Sequence, residues 1–459
     1  MDLIIKNGTV VTAADTFQAD LGITNGVITE IAQHIEPKEN TEVIDATSYF
    51  VLPGIVDAHV HLGLPMVNTV SNDDFANGTK AAACGGVTSV IDFATQQPGK
   101  KMMDEVHARK QEAEGKVCID YGLHAGITDW EIASKELDEA WKEGICSFKM
   151  FMTYKQRGLM SDDAALFQAM EEMGKRQGII SVHAESSPVL DILVERYRND
   201  QYKYDVHAHN LSRPDIIEIE AIERAIRWAE LSNGRLYIVH MTTTEGCQLV
   251  RNARARGVHV YAETCPQYLF LDDSVFDRKD GYLYTSCPQI KSKQNQEGLW
   301  KGLFNKDISV IATDHCTFTK AQKDLWEGDI TKLPFGVPSI ETMLSLVYTV
   351  GVLQKGMSLN HLVQVLSYNP SRIYGLYPHK GTIAIGTDAD IVLFDPNKSS
   401  IIDYKNLQTN CDWSPYQDME VKGMPVMTIS HGRIVAKDGK FIGEEGKGKY
   451  LYRSKSLDL

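Results

Sequence analysis

The sequence predicts an α/β fold, a (β/α)8 TIM barrel with a smaller β-sandwich domain built from both chain ends. Two observations carry this. Between residues 53 and 375, short apolar runs alternate with helical periods, and near-continuous apolar runs mark parallel strands buried on both faces. The flanks, 1–52 and 376–459, show β texture broken by Asn-Gly, His-Gly and Asp-Gly pairs, which are turn signals. At 459 residues the chain exceeds one ordinary core.

In order along the chain, Asn7-Gly8 between LIIK and TVV predicts a hairpin, and Asn25-Gly26 between DLGI and VITEIA predicts another. Both residues of such a turn need positive φ. The barrel strands are then expected at 55–62, 88–94, 120–127, 147–152, 178–185, 235–240, 258–265 and 308–315. Between strands four and five, Asp162 and Asp163 open a helix with Leu166, Met170 and Met173 on one face, and Gly178 ends it. Arg213-Pro214 precedes a long helical segment, 216–231, that stops at Asn233-Gly234. Residues 381–396 return to β texture, with later turn pairs at His431-Gly432 and Asp438-Gly439. The last residues, 449–459, form an amphipathic tail, either a loose terminus or a subunit arm.

Composition narrows the function classes. The chain is 43% hydrophobic and 24% charged, as soluble globular proteins are. Its net charge of −14, from 47 basic and 61 acidic residues, argues against nucleic acid or an anionic membrane as the main partner. The N-terminus lacks the basic start and apolar core of a signal peptide. No stretch reaches the roughly 18 apolar residues of a membrane span. The eight cysteines are scattered without a Cys-x-x-Cys, so they read as reduced thiols of a cytoplasmic protein.

Six candidate metal ligands stand at the ends of the apolar runs: His59, His61, Lys149, His183, His240 and Asp314. Carboxyl ends of barrel strands share one face, so the six line one cup, the geometry of a two-metal hydrolase. In a strand, residues two apart face the same way, so His59 and His61 point together with Asp57 behind them. Asp57 has two roles open to it, orienting an imidazole or supporting the strand end. Lys149 sits inside SFKMFM, where burial lowers a lysine's pKa. A neutral amine reacts with carbon dioxide to give a carbamate, whose two oxygens can bridge two cations. An ammonium cannot ligate, so Lys149 serves only as N6-carboxylysine; the alternative is a lysine paired with a carboxylate across the barrel. Two divalent metal ions are therefore expected, zinc by default, with manganese or cobalt fitting the same donors. Such a pair holds a bridging hydroxide at neutral pH. Asp314 would take its proton and pass it to a leaving nitrogen, and Tyr154 would donate to the oxyanion. His315 points to the opposite face and is expected to be structural or to support a ligand.

These residues resemble the cyclic amidohydrolases of the hydantoinase and dihydropyrimidinase group, and within it the bacterial phenylhydantoinase type. PGIVDAHVHL, SFKMFMTYK, SVHAE, YIVH and ATDHCTF carry the resemblance, which spans essentially the whole chain. HNLSRP, ETCPQYL, GTDADIVLFDP and DWSPYQDMEVKG are further similar stretches. The resemblance implies two zinc ions, Lys149 as the bridging ligand, Tyr154 as oxyanion donor and a homotetramer. It also implies opening of a 5-substituted hydantoin or dihydropyrimidine to an N-carbamoyl amino acid.

Departures fall in the expected pocket. The group's Ser-Pro-Pro-Leu-Arg is Cys287-Pro288-Gln289-Ile290-Lys291, and its Pro-Asn-Gly is Pro334-Phe335-Gly336. The resemblance implies that Cys287 stands for the serine that holds the ring amide, largely through its backbone; such main-chain contacts can survive a side-chain change, while the wall is expected to differ. Leu64, Met66 and Phe335 are candidate apolar walls, and the loops 63–71, 94–99 and 153–160 are expected to select the substituent. The loop after His61 is apolar and offers nothing to grip a charged substituent. Two rivals stay open: hydrolysis of another cyclic ureide or imide, such as allantoin or a purine-breakdown intermediate, and a non-catalytic scaffold.

Overall fold

In a computed structural model, which describes residues 1–66 and 68–459, the two chain ends meet in one sheet. The N-terminal strands are β1 (Leu3–Val11), β2 (Thr16–Thr24), β3 (Val27–Ala32), β4 (Glu42–Asp45) and β5 (Phe50–Pro53). The barrel strands are β6 (Ile55–Asp57), β7 (Val87–Thr95), β8 (Asp120–Gly126), β9 (Ser147–Phe151), β10 (Ile179–His183), β11 (Leu236–Ile238), β12 (Val260–Thr264) and β13 (Val310–Ile311). The chain then closes with β14 (Ile391–Ile401), β15 (Glu420–Ser430), β16 (Arg433–Lys437) and β17 (Lys440–Phe441).

The small domain's sheet runs β17-β16-β15-β14-β5-β1-β2-β3, with β4 also on β1. Antiparallel pairing of Leu52 with Val392 joins the two chain ends. Leu3, Ile5, Leu21, Ile28, Ile391 and Ile429 pack into a core of its own. The turns expected at Asn25-Gly26, His431-Gly432 and Asp438-Gly439 connect neighbouring strands with positive φ at both residues. Asn7-Gly8 is different. It lies inside the continuous β1, where Asn7 has φ 61° and the register against β2 shifts between Ile5 and Gly8. The pair makes a bulge instead of a hairpin, because β2 pairs with β1 on both sides of it. Glycine is required there by close packing, since a Cβ on Gly8 would lie 2.3 Å from Val51 Cγ2.

The eight barrel strands follow in sequence order, each parallel to the next. Closure comes from a parallel bridge between Val60 and His315, with His61 N donating to His315 O at 2.9 Å. His59 and His61, expected on the first strand, lie just beyond it. β6 stops at Asp57, whose carboxylate accepts from Thr313 N (3.0 Å), Thr313 Oγ1 (2.5 Å) and His59 N (3.3 Å). A side chain takes over donors that a ladder would use, so the regular strand ends there.

The helix Asp163–Arg176 buries Leu166, Ala169, Met170 and Met173, starts on an Asp162 cap and ends at left-handed Gln177, one residue before Gly178. The helix Ile216–Ser232 ends on left-handed Asn233. The C-terminal tail is no loose end. Leu451, Arg453 and Ser456 donate their amides to Tyr121, Gly144 and Gln177, near the amino ends of β8, β9 and β10. It thus straps the face of the barrel opposite the cup. Among the described residues no helix is long and apolar enough to cross a membrane.

Candidate metal centre and substrate pocket

The carboxyl ends of the barrel strands bring His59, His61, Lys149, His183, His240 and Asp314 to one cavity of ≈ 550 Å³. His59 Nε2 lies 3.3 Å and His61 Nε2 3.1 Å from Asp314 Oδ1. His240 and Asp314 reach inward from left-handed backbone, with φ of 38° and 51°. Such conformations persist only where surrounding structure enforces them, commonly at functional sites. The His183 and His240 rings are 4.5 Å apart between centroids, and His59 and His240 5.6 Å.

Carboxylates orient two of these rings. Buried Glu263 meets His59 Nδ1, and it also accepts from Tyr237 OH (2.8 Å) and His240 N (3.1 Å). That bond assigns the proton to Nδ1 and turns the Nε2 lone pair toward Asp314. Glu185 does the same from the other side, 2.6 Å from His183 Nε2, leaving Nδ1 free. Burial pushes His59 and His240 well below the usual histidine range, so both rings are neutral. Burial alone would raise the Asp314 carboxyl, but His59 and His61 outweigh it and hold it low.

Lys149 is 2% exposed, and among the described residues no carboxylate lies within ion-pairing distance of its amine. Its nitrogen faces the rings of Phe93 and Phe151, each at 5.6 Å. Burial lowers its pKa to about 8. The carboxylate partner weighed as the alternative for this lysine is therefore missing. Buried ring nitrogens without partners, His61 Nδ1 and His240 Nδ1, stand in the same cup. A donor set of neutral imidazoles, one carboxylate and an unpaired amine is short of positive charge and fits divalent cations.

Tyr154 follows β9 with φ 65°, and its ring stands edge-on to His183 at 5.1 Å. Burial pushes its phenol well above the usual range, so it stays a hydrogen-bond donor. Cys287 lines the cavity and donates from Sγ to Glu185 (3.3 Å), and burial raises the thiol to about 12. Phe335 stacks on His209 at 4.9 Å. Leu64 and Met66 also line the cavity, together with parts of all three expected loops. Asp57 supports the strand end and does not touch an imidazole. His315 is structural, its Nε2 3.0 Å from Asp73 and its Nδ1 accepting from Ser339 N and Ile340 N.

The amidohydrolase family profile matches residues 50–435. The chain belongs to the amidohydrolase family. A D-hydantoinase of Geobacillus stearothermophilus is 39% identical, covering 99% of this chain and 97% of the relative. A D-phenylhydantoinase of Escherichia coli is 37% identical over 99% and 98%. The crystal structure of a dihydropyrimidinase from Brevibacillus agri NCHU1002 superposes with a TM-score of 0.97 at 38% identity, covering 100% of both chains. Membership implies a binuclear divalent metal centre, which the donor set described above fits.

Several residues that shape this amidohydrolase site were not singled out in the sequence. Glu263 and Glu185 are two. Lys323 is a third: fully buried, it donates to Thr285 O (2.9 Å) and Pro334 O (2.6 Å), tying together the segments that carry Cys287 and Phe335. Among the described residues, the loop after His61 brings only Gly63, Leu64, Pro65 and Met66 to the cavity, and charged groups enter it from other segments. The helix Met102–Ala113 presents Glu105, Arg109 and Glu112 to the cavity, and Arg157 joins them from the loop after β9. Their spacing of three and four residues puts the first three on one helix face, a pattern that sequence alone reads as ordinary solvated surface.

Proposed function

We propose that this protein hydrolyses a ring C–N bond of a cyclic amide or ureide, a 5-substituted hydantoin or a dihydropyrimidine, giving an N-carbamoyl amino acid. The observation that carries the reading is the unpaired, buried Lys149 beside the His59–His61–Asp314 group in one cavity. His59, His61 and Asp314 would hold one ion, His183 and His240 the other, and N6-carboxylated Lys149 both. Zinc suits these donors, and manganese or cobalt would also be accepted. When bound, the metals supply Lewis acidity and a water acidic enough to be a nucleophile at neutral pH.

The side chains do the rest. Lys149 forms its carbamate when the neutral amine adds to carbon dioxide: a C–N bond forms and one proton leaves. Asp314 takes the proton of the attacking water and returns it to the departing ring nitrogen. Tyr154 donates its phenolic hydrogen to the oxygen that gains charge at the attacked carbonyl. Glu263 and Glu185 keep His59 and His183 in the tautomer and orientation the site needs. Cys287 and Phe335 border the ring, with Leu64 and Met66 toward the substituent.

The same reading places residues 1–52 with 376–459 as one unit beside a catalytic unit of 53–375, supported by the β5–β14 pairing. It includes a cytoplasmic homotetramer. Eight free cysteines suit a reducing compartment. Exposed Val189, Ile192, Leu211 and Ile216 offer apolar surface for subunit contact.

The test is hydrolysis, by metal-loaded protein, of dihydrouracil, hydantoin, both hands of 5-phenylhydantoin, allantoin and dihydroorotate, with metal content measured on the same sample. Turnover of a hydantoin or dihydropyrimidine with two metals per chain is the expected result. Turnover of allantoin alone would move the substrate to another cyclic ureide. Two metals without turnover of any ring would sink the reading.

A further inference from the structure

The cavity holds three cationic side chains, Arg109, Lys149 and Arg157. Lys149 belongs to the metal cup. Arg109 is committed: its guanidinium donates to Asp92 (2.9 Å), to Leu62 O (2.7 Å) and to Glu112. Arg157 is not. Among the described residues no carboxylate lies within 4.0 Å of it and no side chain hydrogen-bonds its guanidinium, whose carbon sits 5.4 Å from the centre of the Tyr154 ring.

The backbone fixes this placement. Arg157 ends the short 3-10 turn Lys155–Arg157, between left-handed Tyr154 and left-handed Gly158. Gly158 packs against the loop after β7, where a Cβ would lie 3.1 Å from Pro98 Cγ. The turn is thus flanked on one side by the half-buried Tyr154 and on the other by Pro98. A half-buried guanidinium held over an aromatic ring, beside the group expected to contact the reacting carbonyl, presents a planar donor fork suited to a carboxylate.

Resting on the amidohydrolase reading above, we propose that Arg157 selects substrates whose ring substituent carries a carboxylate, so that the product is the N-carbamoyl derivative of an acidic amino acid. Water adds across the ring bond: a C–O bond forms, the C–N bond breaks and the ring nitrogen takes the proton. The substituent's carboxylate is unchanged and only binds. On the helix wall, Glu112 shares the single charge of Arg109 with Asp92, and Glu105 has no cationic partner within 4.0 Å among the described residues. Its charge opposes a carboxylate in the same cavity, which gives the proposal a second, opposite-signed handle.

The experiment compares 5-(2-carboxyethyl)hydantoin with the near-isosteric, neutral 5-(3-methylbutyl)hydantoin and the cationic 5-(3-aminopropyl)hydantoin on metal-loaded protein. The wild type should favour the carboxylate over its neutral isostere by about tenfold in kcat/KM, through KM, the size of one charge-assisted hydrogen bond. Arg157→Gln should bring that ratio close to one, Arg157→Lys should keep part of it, and Glu105→Gln should increase it. Calorimetric titration of N-carbamoylglutamate against N-carbamoylhomoleucine, the products of the acidic and neutral rings, should show the same order without turnover. A ratio unmoved by Arg157→Gln, or a preference for the aminopropyl compound that Glu105→Gln abolishes, would overturn the assignment of Arg157. A wild type that opens none of the three rings, nor hydantoin nor dihydrouracil, would instead overturn the reading of ring hydrolysis on which it rests.

Discussion

The carboxylate of Glu263 holds His59 Nδ1 from 204 residues away, while the other ring nitrogen of His59 faces Asp314. This makes Glu263 the support on which one side of the proposed metal site depends. Glu263→Ala would free the imidazole to rotate and leave Tyr237 OH and His240 N without their acceptor. Metal affinity should fall by about 10–100-fold, the usual loss for such a partner. Glu263→Gln keeps an acceptor oxygen and should lose less. Chelator competition reads both, and wild-type retention in the alanine variant would disprove the role.

Lys149 makes reconstitution depend on pH and on carbon dioxide together. Burial lowers the amine to about 8, so its reactive neutral fraction rises as pH climbs through that value and vanishes well below it. Metal-free protein given zinc should regain activity faster with bicarbonate present, and faster at pH 8.5 than at 6.5. Lys149→Ala should gain nothing from bicarbonate at either pH. Recovery independent of bicarbonate would rule out the carbamate.

Tyr154 offers a cleaner separation of binding from chemistry. Its phenol stays protonated because burial pushes the pKa well up, so it donates across the working range. Tyr154→Phe should lower kcat by about 10²–10³-fold with little change in KM, as for loss of one oxyanion donor. Unchanged turnover would assign Tyr154 to packing.

Much of this architecture could be read from residue order. Barrel strands betray themselves because both faces are buried, and a charged or imidazole group at the end of such a run has few reasons to be there. The expected ligands Lys149, His183 and Asp314 were visible for that reason. Glu263, inside the apolar run before Cys265, offered the same oddity as Lys149 and would have yielded to the same argument. Glu105, Arg109 and Glu112 could not, since an amphipathic helix looks alike whether its polar face meets water or a cavity. Asn7-Gly8 misled for a related reason: turn chemistry fixes a pair of backbone angles, and both a hairpin and a bulge can use them.

Lys323 links two segments of the pocket wall that are distant in sequence. Its amine joins Thr285 O and Pro334 O, and Gly336 N donates to Thr285 O at 3.0 Å. Lys323→Met would leave the carbonyl of Pro334 without its donor and Thr285 O with Gly336 N alone, costing about 1–3 kcal/mol of stability. Because Cys287 and Phe335 ride on those segments, KM should rise more than kcat falls. A lower Tm with unchanged KM would confine Lys323 to holding the fold.

The joint between sheet and barrel should set the acid limit of the fold. Buried Lys380 lies 2.6 Å from Asp120, 2.9 Å from Asp388 and 2.6 Å from Asp390, and His431 Nε2 is 2.7 Å from Asp120. Asp120 opens β8, whereas the other four belong to the segment before β14 and the β15–β16 turn, so the cluster ties one unit to the other. Burial alone would raise the Asp120 carboxyl, but the bond from His431 and the charge of Lys380 outweigh it and hold it below its ordinary 3.8. A carboxyl depressed in the fold contributes stability above its unfolded pKa and loses it as pH falls toward the folded value. The neighbouring Lys380 is shifted upward by Asp390 and Asp120, burial notwithstanding; its contribution is complete below the ordinary lysine pKa and fades only at strongly alkaline pH. The acid side therefore carries the signal. Lys380→Met strands two buried aspartates without their cation and should cost about 3–5 kcal/mol at neutral pH. Asp120 would then titrate higher, closer to its unfolded value, so the variant's Tm, lower at neutral pH, should fall less steeply on the acid side than the wild type's. Parallel Tm–pH curves for the two proteins would show that the cluster contributes no pH-dependent stability.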